Sequence, residues 1–262
     1  MSGLTGARVL IPRGGAWGAR VRDALVARGA DAVVAPLIVS LPPRDLAARD
    51  AAFARLAAGE YAWLFVTSAA TVEQLTNAGV DVPESTRIAV VGAATARAVA
   101  AAGWPIAFMP EGVSSGANLV AQWCVRHTPG RTGRCLVLRS DLAQPVVSDE
   151  LELQGHAVDV GIAYRTVGVD LDPAVADDLG AGRIDAVLLT SLSVGRELKR
   201  QVQLPERVVV ASIGPGTTRD AARIGIPVSL TSPVQTVDAL IAELDAHLAG
   251  RDPRPHRNGG PS

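Results

Sequence analysis

The segment Arg8-Val-Leu-Ile-Pro-Arg13 returns 126 residues later along the chain as Arg134-Cys-Leu-Val-Leu-Arg139. Both copies are short apolar runs between arginines, which is typical of a β-strand buried in a sheet. The match continues beyond the strand at the same offset, where Leu25 corresponds to Leu151 and Gly29 to Gly155. Matches that stay in register over this distance indicate an internal duplication.

A second set of matches has an offset of 122 or 123 residues. It joins Thr67-Ser68 to Thr190-Ser191, Gly92 to Gly214, Thr95 to Thr217, and Gly103-Trp-Pro105 to Gly225-Ile-Pro227. The chain therefore consists of two types of half-domain, in the order first type (1–36), second type (60–125), first type (134–160) and second type (184–248). Two similar domains are predicted, and the pairing of the halves stays open.

Two arrangements of the four half-domains are compatible with this order. Segments that are neighbours along the chain usually pack together, which favours two contiguous domains. In the other arrangement, the first segment joins the last and the two enclose a central domain. The extended, helix-poor stretches Leu37–Pro43 and Gly161–Asp170 favour this bracketed arrangement, because they lie where two paired linkers would run.

Short β-branched runs alternate with Ala-, Leu- and Arg-rich stretches of helical period along almost the whole chain, which predicts an α/β fold with parallel sheets. Most of the runs are apolar throughout, as expected for strands covered on both faces. The predicted strands are Arg8–Ile11, Ala32–Ala35, Ala62–Val66, Ile88–Val91, Pro105–Phe108, Cys135–Leu138, Ala157–Val160, Ala186–Leu189, Val208–Ala211 and Val228–Leu230.

Length and charge limit the class of protein. A chain of 262 residues suggests about two domains, each large enough to bury its own core. The formal net charge of −1 argues against non-specific nucleic-acid binding, which selects for a basic excess. The Gly-, Pro- and Arg-rich tail at 251–262 predicts a disordered end.

The cysteines and the apolar runs bear on the compartment. Cys124 and Cys135 form no Cys-x-x-Cys motif and are interpreted as buried thiols in a reducing compartment, with a disulfide between them as the alternative. The N-terminal residues show no secretory pattern, and runs such as Ile184–Leu189 are far shorter than the roughly 20 residues that cross a bilayer. We expect a cytoplasmic protein without membrane contact. The four histidines are scattered, so no metal site is predicted.

Four predicted strand-to-helix turns have the composition of an anion site. Gly92 and Gly214 each precede two small residues and then Thr95 or Thr217, which open Ala- and Arg-rich helices. Such turns present free amide groups and a hydroxyl to an anion. The pairs Thr67-Ser68 and Thr190-Ser191 follow two further strands in the same way. Simple helix capping is the alternative interpretation of each turn.

Arginine and tyrosine side chains add two further candidates. Arg13 and Arg139 end the first strand of their half-domains, where a guanidinium group can clamp a carboxylate, although a surface ion pair explains them equally well. Of the two tyrosines, Tyr61 begins an apolar strand and is interpreted as a core residue. Tyr164 lies in the second linker. It is interpreted either as a phenol that faces an inter-domain cleft or as an aromatic residue that packs in the hinge. Dinucleotide, Walker A and catalytic-triad motifs are missing.

In order and spacing, the chain resembles the uroporphyrinogen-III synthase family over residues 7 to about 248. The residues that carry the resemblance are Thr67-Ser68, Val91-Gly-Ala-Ala-Thr95-Ala96, Val137-Leu-Arg139, Ala163-Tyr-Arg-Thr166, Leu189-Thr-Ser191 and Ile213-Gly-Pro-Gly-Thr217. The resemblance implies two flavodoxin-like domains joined by a two-stranded linker. It also implies the bracketed arrangement, with one domain of 1–36 plus 169–250 and another of 37–168.

The resemblance implies an enzyme of porphyrin and heme biosynthesis, a lyase that needs no cofactor and no metal. Such an enzyme cyclises the small molecule hydroxymethylbilane to uroporphyrinogen III, inverting the last pyrrole ring and losing water. A monomer is expected, and a transient contact with the preceding pathway enzyme stays open. The family often has Thr where Gly216 stands and Asn where Ala70 stands, so the contacts to individual acid side chains are less well defined.

Residue roles follow from the resemblance as expectations. Tyr164 is expected near the departing hydroxyl as the catalytic group. The expected substrate-binding residues are Arg13, Thr67, Ser68, Gly92, Thr95, Arg139, Thr190, Ser191, Gly214 and Thr217. They fit a substrate that carries eight carboxylates.

Two other classes of protein share parts of this pattern. A cytosolic two-domain protein that binds a small anionic ligand in a cleft, without catalysis, has the same duplication and the same amide-lined turns. A cytosolic glycosyltransferase with two similar domains needs a nucleotide-sugar site and is usually longer. A test for the conversion of hydroxymethylbilane distinguishes these three classes of protein.

Overall fold

Two compact units make up the chain, whose computed structural model describes residues 2–250. Unit 1 combines the N-terminal part of the chain, up to Val39, with the part that starts at Gly168, and unit 2 is Ser40–Val167. No helix among the described residues has the length and apolar character needed to cross a membrane. The predicted disordered tail, 251–262, lies outside the described residues.

Strands and helices alternate along almost the whole chain. The strands are β1 (Arg8–Ile11), β2 (Asp31–Val34), β3 (Ile38–Leu41), β4 (Trp63–Val66), β5 (Arg87–Val90), β6 (Ile106–Phe108), β7 (Cys135–Ser140), β8 (Val158–Gly168), β9 (Ala186–Leu189), β10 (Val209–Ser212) and β11 (Leu230–Thr231). The helices are α1 (Gly15–Val26), α2 (Leu46–Ala57), α3 (Ala69–Asn77), α4 (Ala93–Ala101), α5 (Gly116–Arg126), α6 (Val146–Leu153), α7 (Pro173–Gly180), α8 (Leu192–Gln201), α9 (Pro215–Arg223) and α10 (Val237–Ala249).

The described residues, 2–250, form two sheets, one in each unit. The sheet of unit 1 has the order β11-β10-β9-β1-β2, and all its neighbouring strands are parallel. Numbered along the chain within the unit, this is the order 2-1-3-4-5 of flavodoxin-like sheets. The second sheet has the order β3-β8-β7-β4-β5-β6, and its pairs from β8 to β6 are parallel.

The two sheets are related by the duplication. The run β6-β5-β4-β7-β8 corresponds to β11-β10-β9-β1-β2, strand for strand. In unit 2 these strands follow one another along the chain, whereas in unit 1 the strands that match β7 and β8 come from the N-terminus. The point where the strand order reverses therefore lies between β4 and β7 in unit 2, and between β9 and β1 in unit 1.

Both faces of each sheet are covered by apolar side chains. In β1, Leu10 packs in one core cluster and Val9 in another. In β4, Leu64 and Phe65 likewise pack in separate clusters on opposite faces. All four residues are fully buried. Strands covered on both faces explain why these segments are apolar throughout rather than alternating.

All ten predicted strands have a counterpart within a few residues of the predicted position. The two extended stretches that were expected to be linkers contain additional strand structure. β3 lies within the first of them, and β8 continues through most of the second, up to Gly168. β3 and β8 are neighbours in the second sheet, so the two stretches run side by side.

Candidate functional site

Four predicted site residues of unit 2 lie at the carboxyl ends of parallel strands. Thr67 and Ser68 directly follow β4, Gly92 is the second residue after β5, and Arg139 is the next-to-last residue of β7. In open α/β sheets, ligands bind at this edge. The structure thus brings these residues to the ligand-binding edge of one sheet.

The duplicated residues have the same positions in unit 1. Thr190 and Ser191 follow β9, Gly214 is the second residue after β10, and Arg13 is the second residue after β1. The Thr190 hydroxyl oxygen is buried and has no hydrogen-bond partner among the described residues. The carboxyl edge of this sheet therefore carries a buried hydroxyl group without a hydrogen-bond partner among the described residues.

Glycine N-caps leave several helices without a side-chain cap at this edge. Gly92 precedes α4 and Gly214 precedes α9, and neither helix has a side-chain hydrogen bond at its start. The N-cap residues Gly14 of α1 and Pro145 of α6 likewise make no side-chain hydrogen bond to their helices. The first amides of a helix have no acceptor within the helix, so these four N-termini can bind an anion.

The serines of the Thr-Ser pairs do cap their helices. Ser68 Oγ accepts from the Ala70 amide at 3.2 Å, and Ser191 Oγ accepts from the Val194 amide at 3.3 Å. The capping interpretation is therefore correct for these two side chains. It does not apply to the turns at Gly92 and Gly214.

Close packing requires glycine at the two glycine turns. A Cβ atom at Gly92 would lie 2.3 Å from Ser114 Oγ and 2.8 Å from Ser114 Cβ. At Gly214 it would lie 2.6 Å from Gln235 Cγ. The backbone at both turns is thus in direct contact with the loop that leads into α5 or α10.

Thr95 and Thr217 occupy the third position of α4 and α9. Thr95 is buried, with 3% of its surface exposed, whereas Thr217 is half-buried. Both lie in the first helical turn, next to the free amides. Their equivalent positions agree with the duplication, but the Thr95 side chain is less accessible than the sequence suggested.

The Tyr164 phenol bonds to another predicted site residue. Tyr164 lies in β8 and is only 7% exposed, because its ring packs in the core of unit 2. Its hydroxyl donates to Ser68 Oγ at 3.1 Å. The phenol therefore belongs to the carboxyl edge of the sheet through Ser68 and does not project freely from a linker.

Tyr61 is a core residue that lies just before β4, at the opposite edge of the sheet. It is 1% exposed and donates to Asp159 Oδ2 at 2.9 Å. Burial and this carboxylate raise the pKa of Tyr61 to about 12. Asp159 is also paired with Arg55 and Arg134. This network joins the start of β8 to Tyr61, Arg55 and Arg134. It lies at the edge of the sheet opposite to the candidate site.

A pocket of about 440 Å³ opens at the reversal point of the unit 2 sheet. Thr67 lines it from the end of β4 and Arg139 from β7, next to the first residues of α5 and α6. The Arg139 guanidinium donates to the Ala143 carbonyl, and its Nε atom is buried without a partner among the described residues. Reversal points are the usual ligand sites of such sheets. We call this cavity the unit 2 pocket.

Sequence reasoning missed the residues that form the rest of the pocket wall. They are Ser114, Ser115, Gly116, Ala117 and the segment from Ala143 to Ser148. Ser115 caps α5 by accepting from the Asn118 amide at 3.2 Å. The Ser-Ser-Gly sequence before a helical stretch and the proline at 145 were available signals for two helix starts.

The cysteines have no features of catalytic nucleophiles. Both are free thiols, Cys135 buried and Cys124 half-buried. Burial raises the pKa of Cys135 to about 12 and also raises the pKa of Cys124. Both thiols therefore stay protonated near neutral pH. The described residues contain no cluster of three or more His, Cys, Asp or Glu side chains that could hold a metal ion.

Comparison with known proteins identifies a family whose model matches most of the chain. The model of the family "Uroporphyrinogen-III synthase HemD" matches residues 19–242. A protein of Methanothermobacter thermautotrophicus, named "Putative uroporphyrinogen-III synthase", is 32% identical over 203 residues, which cover 71% of this chain and 78% of that protein.

Solved structures agree in fold. A mutant uroporphyrinogen III synthase from the extremely thermophilic bacterium Thermus thermophilus superposes with a TM-score of 0.62 at 18% identity, covering 94% of this chain and all of that one. The uroporphyrinogen-III synthetase of Helicobacter pylori has a TM-score of 0.59 at 14% identity, covering 92% and 99%. The family model spans most of the chain, and the chain therefore belongs to the uroporphyrinogen-III synthase family.

Proposed function

We propose that the protein converts hydroxymethylbilane to uroporphyrinogen III, inverting the terminal pyrrole ring and releasing water. The observation that carries the proposal is the family match over residues 19–242. The reaction belongs to porphyrin biosynthesis, as do the members of this family. The geometry of the carboxyl edges of both sheets supports the proposal independently.

The binding groups suit a substrate with many carboxylates. Four helix N-termini without a side-chain cap follow strands of the two sheets. Arg13 and Arg139 lie at the same edges. Backbone amides, hydroxyls and guanidinium groups all donate to anions, so these edges can bind carboxylates although the chain as a whole has a net charge of −1.

The proposed reaction balances without an oxidant or reductant. The terminal hydroxyl leaves with a proton as water, and the resulting azafulvene is attacked by the substituted carbon of the last ring. A spiro intermediate forms, the bond between that ring and its neighbouring methylene breaks, and the chain closes again with the ring inverted before a proton is lost. Control of the conformation is the main task of the enzyme, because free closure is expected to give the uninverted isomer.

Acid assistance comes from Tyr164 and Ser68 together. The phenol directs its own hydrogen to Ser68 Oγ, so the Ser68 hydroxyl keeps its hydrogen for another acceptor. Ser68 is half-buried, whereas Tyr164 lies in the core. We infer that Ser68 donates to the departing hydroxyl and that Tyr164 polarises and orients it. A neutral hydroxyl pair gives modest acid catalysis, which suits a leaving group activated by a pyrrole.

The test is incubation of the protein with hydroxymethylbilane followed by separation of the uroporphyrinogen isomers. Isomer III in excess of isomer I is expected. Formation of isomer I alone, at the rate found without protein, contradicts the proposal. If the bilane then still binds, the protein is the non-catalytic binder of a small anionic ligand that was considered above.

A further inference from the structure

Strand β8 carries a bulge directly before Tyr164. Its pairing with β7 is regular up to Ile162, which lies opposite Arg139. The next residue of β7, Ser140, lies opposite Tyr164, so Ala163 is an extra residue in β8. Bulges of this kind redirect a side chain and disrupt the ladder of hydrogen bonds around it.

The bulge decides on which face of the sheet the Tyr164 phenol lies. Successive residues of a regular strand point to opposite faces, but Ala163 and Tyr164 both pack in the core cluster that contains Leu75 of α3. Ser68 is the N-cap residue of α3. The bulge therefore turns the phenol toward the side of the sheet on which α3 begins, where its hydroxyl bonds to Ser68 Oγ at 3.1 Å.

Asp141, the first residue after β7, connects to β8 on both sides of Arg165. Its backbone N–H donates to the Tyr164 carbonyl at 3.0 Å, and its carboxylate Oδ1 accepts from the Thr166 N–H at 3.0 Å. In a regular parallel ladder, a backbone carbonyl would accept the second bond. The Asp141 side chain thus replaces a ladder acceptor and continues the link between β7 and β8 after the bulge, at the residue that carries the phenol.

The duplicated strand end in unit 1 has neither of these two groups. At the offset of 126, Gly15 corresponds to Asp141 and Ile38 to Tyr164. Glycine has no side chain that could accept a hydrogen bond, and the pairing of β2 with β1 ends at Val34. The duplicated sheet therefore forms without a carboxylate at this position, and the carboxylate occurs in the half-domain that has the phenol.

We propose that Asp141 is a positioning residue, which holds β8 after the bulge so that the Tyr164 hydroxyl stays directed at Ser68. Asp141 is exposed and acts through β8, not on the substrate. Without the carboxylate, the Thr166 amide can bond to water instead, so the strand still forms while the direction of the phenol becomes less well fixed. The effect on the rate rests on the proposed function, whereas the direction of the phenol does not.

The first experiment observes the phenol itself, because the chain has only two tyrosines. Tyrosine labelled with carbon-13 at the ring carbon that bears the hydroxyl gives one NMR signal for each, and Tyr61→Phe and Tyr164→Phe assign them. The chemical shift of this carbon responds to hydrogen bonding of the hydroxyl. In Asp141→Ala, we expect the Tyr164 signal to shift or broaden and the Tyr61 signal to stay in place. Asp141→Asn keeps an Oδ1 acceptor for the Thr166 amide and should restore the Tyr164 signal.

The second experiment measures kcat and KM for the formation of isomer III. Asp141→Ala should lower kcat roughly 10-fold, less than Tyr164→Phe does, because the phenol is still present but is less well oriented. KM should stay near the value of the parent, and Asp141→Asn should retain most of the activity. In a Tyr164→Phe background, Asp141→Ala should have little further effect on kcat, because the group that it positions is already removed.

Asp45→Ala is the matched control. Asp45 is an exposed carboxylate of unit 2 that also accepts from a backbone amide, that of Ala48 at 2.9 Å, at the start of α2. Its loss should lower the thermal midpoint but change neither the Tyr164 signal nor kcat. Thermal unfolding of every variant checks that it is folded, and Asp141→Gly replaces Asp141→Ala if the latter does not fold.

Three results overturn the inference. They are a Tyr164 signal in Asp141→Ala that equals that of the parent, an Asp141→Asn variant that differs from the parent as much as Asp141→Ala does, and a loss of kcat that is equally large in the Tyr164→Phe background. Each leaves the proposed function intact if the parent forms isomer III. A parent that forms no isomer III contradicts the proposed function, and the labelled tyrosine signals then decide whether Asp141 directs the phenol.

Discussion

At the scale of single residues, the two tyrosines provide a matched comparison. Tyr164→Phe keeps the ring in the core and removes only the hydrogen bond to Ser68 Oγ. We expect formation of isomer III to slow roughly 10²-fold, the lower end of the range for general-acid assistance, because Ser68 keeps its own hydrogen but loses the partner that orients it. The free energy of unfolding should fall by about 1 kcal/mol, the usual loss for one hydrogen bond. Rates and thermal midpoints of the purified variant check both values.

Tyr61→Phe is the control. It removes a buried hydrogen bond to Asp159 at the opposite edge of the same sheet, so we expect a loss of stability and nearly full activity. The two variants should therefore differ in rate but not in the direction of their stability change. A Tyr164→Phe variant as active as the parent, or one whose activity follows its unfolding, would show that the phenol only packs.

The Asp159 carboxylate predicts a pH dependence of stability. Burial alone would raise its pKa, but the hydrogen bond from Tyr61 and the guanidinium groups of Arg134 and Arg55 outweigh burial, so the pKa is lowered. A lowered pKa means that the ionised form stabilises the folded state above the unfolded pKa of about 3.9, and that this contribution disappears as the pH falls.

The measurement compares thermal midpoints of the parent and Asp159→Asn across pH. The parent should be more stable near neutral pH, and the difference should shrink below about pH 4. Because Asp178 of unit 1 also has a lowered pKa, the difference between the two proteins isolates Asp159 better than the parent profile alone. A difference that stays constant down to about pH 3 contradicts this account.

Sequence alone identified Tyr164 as a candidate but not its partner. Residue types and order can mark a phenol near a strand end. They cannot show that Ser68, 96 positions earlier, is within 3.1 Å of it, because β4 and β8 are not neighbours in the sheet and β7 lies between them. Long-range contacts of this kind depend on the sheet order, which the residues left open.

At the scale of elements, the turn at Gly92 differs from its duplicate at Gly214. An added Cβ at Gly92 would meet both Ser114 Oγ and Cβ, so the loop before α5 must move. At Gly214 the nearest atoms belong to the flexible end of Gln235. We expect Gly92→Ala to destabilise the protein by about 1–3 kcal/mol, as overpacking does, and Gly214→Ala to cost less.

Thermal midpoints of both variants test this difference. Because the loop before α5 lines the unit 2 pocket, Gly92→Ala should also slow the formation of isomer III. Equal effects of the two substitutions on stability would mean that Ser114 moves as easily as Gln235. Gly214→Ala, at the duplicated position, is therefore the control for the effect of Gly92→Ala on stability.

The start of α6 at Val146 could have been predicted from the local sequence. Gln144 precedes Pro145, and a residue before proline disfavours the helical conformation, a signal that is visible without a structure. The extension of β8 to Gly168 was harder to predict from the sequence, because the later residues of this strand form no apolar run. They are in the strand because they pair with β7 and β3 in the sheet. Local signals thus predicted where elements begin better than how far long strands continue.

At the scale of the whole molecule, the duplicated halves predicted two domains but not their pairing, which came from the family resemblance. Sequence matches relate equivalent segments and carry no information on which halves share a sheet. The structure pairs β1 with β9, 177 positions apart at the register Val9 with Ala186, and with β2. β1 is therefore a central strand, with one neighbour (β2) close to it along the chain and the other (β9) from the second part of unit 1.

This topology predicts how fragments fold. The fragment 37–168 contains β3 to β8 and should unfold cooperatively on its own. In contrast, 1–36 should not fold without 169–250, because Leu4, Val9 and Leu25 share their core cluster with residues of α10 such as Leu244. We expect a single thermal transition for 37–168 and none for 1–36. A molten 37–168 fragment beside a cooperative 1–160 fragment contradicts the bracketed arrangement, because 1–160 cuts through β8 and lacks β9, and it could fold only if contiguous halves formed a domain.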